Sequence, residues 1–266
     1  MTWRAIAALA LLACSPALAQ EPLPPGLHGL DKLDALVRRV SQVQASIKTL
    51  SADFVQRRTS RLLAEPSVSR GKLYFAAPDN VRWEYTSPQP MTVLLAGGVA
   101  ITYRPLEKRA ERVEVGRAQR RVFHFISAAE PLDKLMGYFK FTFTDRGPGA
   151  NYTLLLQPTV HQIKKRLRSV EVEIDRRSLL PVRIAYTERD GDSTEYSFSK
   201  IEMNKPQDPG LFDLALPPDV HIVQLKLGSG ECRGRGPRDR GSWIVVRGGQ
   251  GRDRSGAGEQ KRRDDR

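Results

Sequence analysis

The chain has 266 residues, of which 40% are hydrophobic, enough for one large β domain or two small ones with a sizeable buried core. Its 43 Lys and Arg residues against 30 Asp and Glu give a formal net charge of +13. The excess is uneven, because residues 224–266 hold twelve basic and six acidic side chains. This concentration excludes a uniformly basic domain and indicates a basic tail.

The amino end has the features of a secretory signal peptide. Arg4 supplies the positive charge, residues 5–13 are apolar, and small residues precede Gln20. We therefore expect a signal peptide over 1–19, a flexible leader over 20–29 and a mature protein outside the cytoplasm. The alternative is a lipoprotein signal in which Cys14 is lipidated and tethers the protein to a membrane. If Cys14 leaves with the signal, Cys232 alone remains and an internal disulfide is excluded.

An amphipathic helix is predicted over Leu30–Leu50. Apolar residues recur there every three or four positions, with charged and amide side chains between them. The apolar positions are Leu30, Leu33, Val37, Val40, Val43, Ile47 and Leu50. Such a stripe is typical of a helix that packs over a core.

The pattern changes to strands after this helix. Residues 51–61 alternate, with Phe54 on the apolar side, and residues 67–105 contain four short runs in which apolar residues fall two apart. Pro78-Asp79-Asn80, Ser87-Pro88 and Gly97-Gly98 separate these runs as turns. The region predicts a meander of antiparallel strands with one broad aromatic face.

The remaining chain predicts two short helices and then more strands. Residues 119–136 suit two helices that share an apolar side and are broken by Pro131. One-sided alternation returns in residues 139–144, 152–156, 170–174, 182–186 and 196–198. Eleven strand candidates with few helices between them favour one strongly curved antiparallel sheet or barrel. Its interior is wide enough that helices or a ligand must fill it.

The sequence contains no recognisable catalytic or metal-binding motif. The four His residues are scattered, and there is no Gly-x-Ser-x-Gly motif, phosphate-binding glycine loop or Cys-His pairing. We therefore predict a protein that is not an enzyme and needs no metal or cofactor. The rival hypothesis, an exported enzyme acting on lipids or glycans, requires a polar constellation on the concave face.

Several segments in a fixed order resemble the LolA-type periplasmic lipoprotein carriers. They are Ser51-Ala52-Asp53-Phe54-Val55-Gln56 after the helix, Gly71-Lys72-Leu73-Tyr74-Phe75, Pro78 followed by Trp83, Tyr103 before Pro105, and residues 208–223. The resemblance extends from about Leu30 to Val223. It implies one domain over 30–227, a half-closed antiparallel barrel of about eleven strands covered by a helical lid.

The resemblance also implies a function and a site. Such carriers take acylated lipoproteins from an inner-membrane ABC lipoprotein-releasing complex to an outer-membrane lipoprotein receptor. The predicted cavity lining is Phe54, Phe75, Trp83, Leu95, Ile101, Phe141, Leu154 and Val172. The predicted lid residues are Leu33, Val37, Val40, Phe123, Ile126 and Leu135. An ordinary packed core is the alternative for these positions.

One departure from the family concerns the lid. The family often has Arg immediately before the Pro at position 78, where it holds the lid shut, and this chain has Ala77. Apolar contact or another residue such as Arg82 must then hold the lid. Within the same fold, the alternative functions are a membrane-tethered lipoprotein receptor and an envelope-stress sensor.

Two basic regions suggest further partners. Arg117, Arg120, Arg121 and the run from Lys164 to Arg168 form either a solvated surface or a transient contact with an anionic membrane. The tail over 228–266 is rich in Gly and Arg, and we expect it to be disordered. Its Arg-Gly pattern resembles nucleic-acid-binding segments, but export to the periplasm argues against a nucleic-acid partner.

Overall fold

A computed structural model of the chain describes residues 23–24, 26–61, 63–115 and 132–225. The predicted signal peptide and basic tail lie outside these residues. The helical elements are α1 (Gly29–Ala45), α2 (His161–Lys164) and the 3₁₀ turns η1 (Pro105–Glu107), η2 (Leu132–Leu135) and η3 (Pro209–Phe212). The strands are β1 (Thr49–Thr59), β2 (Ser67–Ala76), β3 (Asn80–Ser87), β4 (Met91–Ala96), β5 (Val99–Arg104), β6 (Arg109–Glu114), β7 (Phe139–Asp145), β8 (Tyr152–Pro158), β9 (Leu167–Ile174), β10 (Pro181–Glu188), β11 (Ser193–Met203) and β12 (His221–Leu225).

These strands form one sheet in the order β12-β6-β5-β4-β3-β2-β1-β11-β10-β9-β8-β7. Every neighbouring pair is antiparallel except β12 and β6, which are parallel. The two end strands of this order do not pair with each other, so the sheet is open. The predicted mainly β, half-closed fold is confirmed, and the described residues contain twelve strands where about eleven were expected.

One face of the sheet carries the core. Directly opposed residues of neighbouring strands point to the same face, so each buried row can be followed across the sheet. The rows of the first half are Leu50–Phe75–Val81–Leu95–Ala100, Ala52–Leu73–Trp83–Val93 and Phe54–Gly71–Tyr85–Met91. All of these residues are buried, and we call this apolar side the concave face. Residues between them along each strand are mostly half-buried or exposed.

The helix α1 covers part of the concave face but is shorter than predicted. It ends at Ala45, and the prediction that it continues to Leu50 is wrong. Leu50 lies instead in β1, directly opposite Phe75, and Ile47 is buried in the connection. The spacing of these apolar residues fits both a helix and a strand, and it is pairing with β2 that makes this segment a strand.

A residue from the far end of β11 fixes the connection between α1 and β1. The side-chain oxygen of Asn204 accepts a hydrogen bond from the N–H of Lys48 at 2.7 Å, and its amide donates to the carbonyl of Ser46 at 3.2 Å. Asn204 has φ of 56°, a left-handed conformation that Asn adopts more readily than most residues. The helix therefore ends where the chain meets the end of β11.

The segment between β11 and β12, residues 204–220, passes over the outer face of the sheet. The Arg82 guanidinium on that face donates to the carbonyl of Leu211 in η3 at 2.8 Å. This strap brings β12 to the opposite end of the sheet order from β7, beside β6. Leu94 points away from the core cluster but is only 3% exposed. The outer face of β4 is therefore covered as well.

None of the described helices has the length and apolar character that crossing a bilayer requires.

Gly71 occupies a position that permits no side chain. A Cβ built there would lie 1.9 Å from the carbonyl oxygen of Glu84 and 2.9 Å from a ring carbon of Phe54. We expect Gly71→Ala to lower the free energy of unfolding by about 1–3 kcal/mol or more, because the backbone of β3 must move. Urea denaturation followed by Trp83 fluorescence measures this.

The matched control for that substitution is Gly137→Ala. Apart from its chain neighbours, no atom of the described residues lies within 4 Å of a Cβ at Gly137. The control should change the unfolding free energy by less than about 0.5 kcal/mol. Equal effects of the two substitutions would show that the close approach at Gly71 is not a constraint.

Candidate functional site: the covered concave face

An aromatic cluster occupies the centre of the concave face. The ring of Phe54 lies edge-on to Trp83 and to Tyr85, with centroids 4.8 and 5.0 Å apart. Tyr196 and Phe198 of β11 complete the cluster, at 5.1 and 6.1 Å from Trp83. Gly71 leaves room for Phe54 because it has no side chain. The result is a broad surface of ring faces and edges with few directed polar groups.

Most of the predicted cavity residues lie together on this face. Phe54, Phe75, Trp83, Leu95, Leu154 and Val172 are all buried members of one core cluster. Phe141 of β7 is half-buried and packs against the same cluster. Ile101 is different, because it lies opposite Leu94 and outside the cluster. Its neighbour Ala100 takes the concave position instead.

The predicted lid residues are only partly described. Leu33, Val37 and Val40 on α1 are buried in the core cluster, as is Leu135 of η2. Phe123 and Ile126 lie outside the described residues, as does most of the predicted helical pair over 119–136.

Two hydrogen bonds join α1 to η2. The side-chain oxygen of Gln44 accepts from the N–H of Leu132 at 3.0 Å, and the hydroxyl of Ser41 accepts from the N–H of Asp133 at 3.0 Å. Gln44 is 4% exposed, so its bond is made away from water. These contacts make α1 and η2 one cover over the concave face.

A charged contact ties the amino-terminal end of α1 to the edge strand β7. The Lys32 ammonium lies 2.6 Å from an oxygen of Asp145, whose other oxygen accepts from Arg176 and from the N–H of Gly147. We call the Lys32–Asp145 pair the latch. The suggestion that Arg82 replaces the family's missing Arg is wrong, because Arg82 binds Glu84 and the strap on the outer face.

The latch carboxylate stays ionised to low pH. Burial alone would raise the pKa of Asp145, but the hydrogen bonds from Lys32, Arg176 and Gly147 outweigh it. The pKa of Asp145 therefore lies well below its ordinary value. A charged carboxylate faces a charged ammonium over the whole physiological range, which favours closure.

One end of the concave face is polar, which the sequence reasoning missed. Tyr186, Thr194 and Arg58 lie side by side on β10, β11 and β1, and Tyr85 and Tyr196 lie near them. Burial raises the pKa of Tyr196 to about 12 and also raises the pKa values of Tyr85 and Tyr186. The tyrosines are neutral at physiological pH and act as hydrogen-bonding groups, not as bases.

The signal for this polar end was present in the alternation of β1. Arg58 shares strand parity with Phe54 and Gln56, which places it on the concave face. A charged residue near a strand end is ordinarily expected to face solvent. For this reason the parity that Arg58 shares with Phe54 is easily overlooked.

The basic run around α2 is displayed on the surface. Lys164, Lys165, Arg166 and Arg168 are exposed at the turn between β8 and β9. The carbonyl of Arg166 accepts from the N–H of Arg189 at 2.8 Å, which joins this turn to the one between β10 and β11. Arg117, Arg120 and Arg121 lie outside the described residues.

Comparison with known proteins gives the family. The model of the family "Outer membrane lipoprotein carrier protein LolA" matches residues 45–215. The chain belongs to the LolA family. An outer-membrane lipoprotein carrier protein from Methylococcus capsulatus is 25% identical to this LolA-family chain over 193 residues, which cover 71% of the chain and 87% of the relative.

Solved structures resemble the LolA-family chain at lower identity. A LolA superfamily protein from Nitrosomonas europaea is 10% identical, with a TM-score of 0.38 over 67% of this chain and 96% of that one. An uncharacterized conserved protein from Thermus thermophilus is 11% identical, with a TM-score of 0.47 over 73% of this chain and 99% of that one.

The latch makes a prediction about the lid of this LolA-family protein. Lys32→Met should weaken the attachment of α1 by about 1–2 kcal/mol, because a partly buried charge-assisted hydrogen bond is lost. Amide hydrogen exchange in the first turns of α1 should then be about 5 to 30 times faster.

Arg38→Met on the same helix is the matched control. Arg38 pairs only with exposed Asp34 one turn away among the contacts that the structure describes, so its loss should leave exchange nearly unchanged. Identical exchange in the two variants would show that the Lys32–Asp145 pair does not hold the helix.

The latch also predicts a pH dependence. Asp145 has a folded pKa below the ordinary 3.8, so its stabilisation is complete above that value and is lost as the pH falls through the folded pKa. The difference in unfolding free energy between the wild type and Asp145→Asn should therefore be constant from about pH 5 to 7 and shrink below about pH 4. Urea unfolding at several pH values tests this, and a difference that grows on acidification would contradict it.

Proposed function

We propose that this LolA-family protein is a periplasmic carrier that binds the acyl chains of lipoproteins on its concave face and moves them from the inner to the outer membrane. The observation that carries the proposal is the continuous apolar and aromatic face that lies beneath the helix α1. Family membership supports the same conclusion. In this proposal the protein binds and releases cargo and catalyses no reaction.

The energetics of acyl chains require such a surface. Each methylene exposed to water costs about 0.8 kcal/mol, so two or three chains cost on the order of tens of kcal/mol. A carrier must therefore cover the chains during transit. The cluster of Phe54, Trp83, Tyr85 and Phe198 offers contact area without a dense set of directed hydrogen bonds. Such a surface holds an acyl chain through apolar contact area, and it can therefore release the cargo to a second apolar site.

Entry of a chain requires α1 to move. The concave-face residues beneath it are each less than a tenth exposed, and Leu36 and Val40 on the helix are fully buried. The latch and the two bonds to η2 are among the polar contacts that this movement would break. Phe139, Phe141 and Phe143 are half-buried along the edge strand β7, which ends at the latch residue Asp145. A chain would enter there.

The proposal extends to location and partners. The signal peptide expected over 1–19 sends the chain to the periplasm, where an inner-membrane ABC lipoprotein-releasing complex would load it and an outer-membrane lipoprotein receptor would unload it. The exposed basic turn at α2 suits a brief contact with an anionic membrane surface.

Native mass spectrometry of the protein purified from the cell envelope tests the function. We expect an acylated protein to copurify, and the amino terminus of the mature chain to begin near Gln20 without a lipid. A mature chain that retains a lipidated Cys14 supports the tethered receptor instead. A protein that binds no acyl chain, even when lipopeptide is added, contradicts both.

Phe141 and Ile101 give a matched pair for locating the site. Phe141→Ala should weaken binding of a palmitoylated fluorescent lipopeptide about 5- to 30-fold, because part of a ring's contact area is lost. Ile101→Ala should leave binding unchanged, since Ile101 lies outside the core cluster. Fluorescence anisotropy measures both. Equal weakening by the two substitutions would place the site elsewhere.

A further inference from the structure

The polar end of the concave face forms a row across three strands. Tyr186 on β10 lies directly opposite Thr194 on β11, and Thr194 lies directly opposite Arg58 on β1. Opposed side chains of neighbouring strands are in contact distance on one face of a sheet. Tyr186 is 3% and Thr194 is 2% exposed. The row is therefore a buried polar strip at the margin of an apolar surface.

Two donors in this row have no hydrogen-bond partner among the described residues. The Tyr186 hydroxyl and the Nε–H of Arg58 are buried, and neither makes a hydrogen bond to any described residue. The Tyr186 hydroxyl interacts with Thr194 and Tyr196 closely enough to shift pKa values in this group, but no contact that it makes with a described residue has the geometry of a hydrogen bond. Buried donors are normally satisfied, so a pair of unsatisfied ones is a functional signal.

The chemistry of the row selects an acceptor. Guanidinium Nε–H can only donate, and burial keeps Tyr186 protonated by raising its pKa. The charge of Arg58 is already balanced, because another guanidinium nitrogen lies 3.3 Å from Asp192. A neutral oxygen acceptor therefore fits better than a second carboxylate or a phosphate.

The surroundings of the row indicate what carries this oxygen. Val170 lies opposite Tyr186. The next row inward is Ile184, Tyr196 and Gln56, and Phe54 lies in the row after it. Arg58 keeps 21% of its side chain exposed, so the row is where the apolar face meets water. A ligand that matches both the apolar face and its polar margin has an apolar chain joined directly to a carbonyl group.

We propose that Arg58 and Tyr186 bind the ester carbonyl of a glycerol-linked acyl chain whose methylenes lie on the apolar part of the concave face. This inference rests on the proposed function and adds head-group recognition to it. The carrier then distinguishes acyl esters from other apolar molecules and fixes the direction in which a chain lies.

Two ligands that differ only in this carbonyl test the proposal. They are 1-monopalmitoylglycerol, which has the ester, and 1-O-hexadecylglycerol, the ether that lacks the carbonyl. We expect the full mature chain to bind the ester about tenfold more tightly, since two buried donors remain unsatisfied with the ether. A titration of tryptophan fluorescence, to which Trp83 on the concave face contributes, measures both affinities. Equal affinities overturn the inference but leave the carrier function standing, whereas failure to bind either ligand contradicts the function itself.

Tyr186→Phe and Arg58→Lys identify the residues responsible. Each should reduce the preference for the ester at least threefold and leave ether affinity unchanged. Tyr186→Phe should not lower the unfolding free energy, because the lost hydroxyl has no described partner. Tyr74→Phe is the matched control, since Tyr74 alternates with the buried Leu73 and Phe75 along β2 and so lies on the outer face. A preference that survives both substitutions overturns the assignment.

A second comparison identifies the source of the ester. A dipalmitoylglyceryl-cysteine lipopeptide that competes better than dipalmitoylglycerol assigns the carbonyl to a lipoprotein. Equal competition assigns it to glycerolipids in general. Either result supports the ester site, and no competition by either overturns it.

Discussion

The fold depends on covering one apolar face of an open sheet. The two end strands of the sheet order do not pair with each other, so the sheet cannot enclose its own concave face as a closed barrel does. The rings of Phe54 and Trp83 would otherwise face water. The helix α1 and the turn η2 supply the cover, and hydrogen bonds of the Gln44 and Ser41 side chains join them to each other. The same arrangement that stabilises the domain provides a surface that a displaced helix would release to an apolar ligand.

The polar contacts of the cover differ in how deeply they are buried. Gln44 bonds η2 in a buried setting, whereas Lys32 and Asp145 remain partly exposed. Asp145 is also held by Arg176, which stacks on the Tyr152 ring at 4.1 Å. The carboxylate is thus fixed to the sheet, and Lys32 is the component that can leave. Movement of the helix therefore costs one ion pair at its amino-terminal end without disturbing the strand that provides the partner.

Sequence reasoning identified the sheet and most of the concave face because strand alternation follows burial when one face is wet. It failed where this condition does not hold. Ile101 was assigned inward, but the strap covers part of the outer face, so both faces of β4 and β5 carry apolar residues and parity becomes ambiguous. Leu50 continued the helical spacing, and only pairing with Phe75 places it in a strand. Arg58 was missed because its charge suggested solvent, although its parity matched that of Phe54.

The pairing of β1 with β11 affects how the domain can form. Residues such as Phe54 and Phe198 become neighbours only after most of the chain has been made, and β12 must then reach β6. Contacts so distant along the chain close large loops and slow folding. A nascent chain that lacks residues 193–203 has no partner for one edge of its first strand. The amino-terminal strands therefore keep an unpaired edge, which favours aggregation, until the last third of the polypeptide has been made.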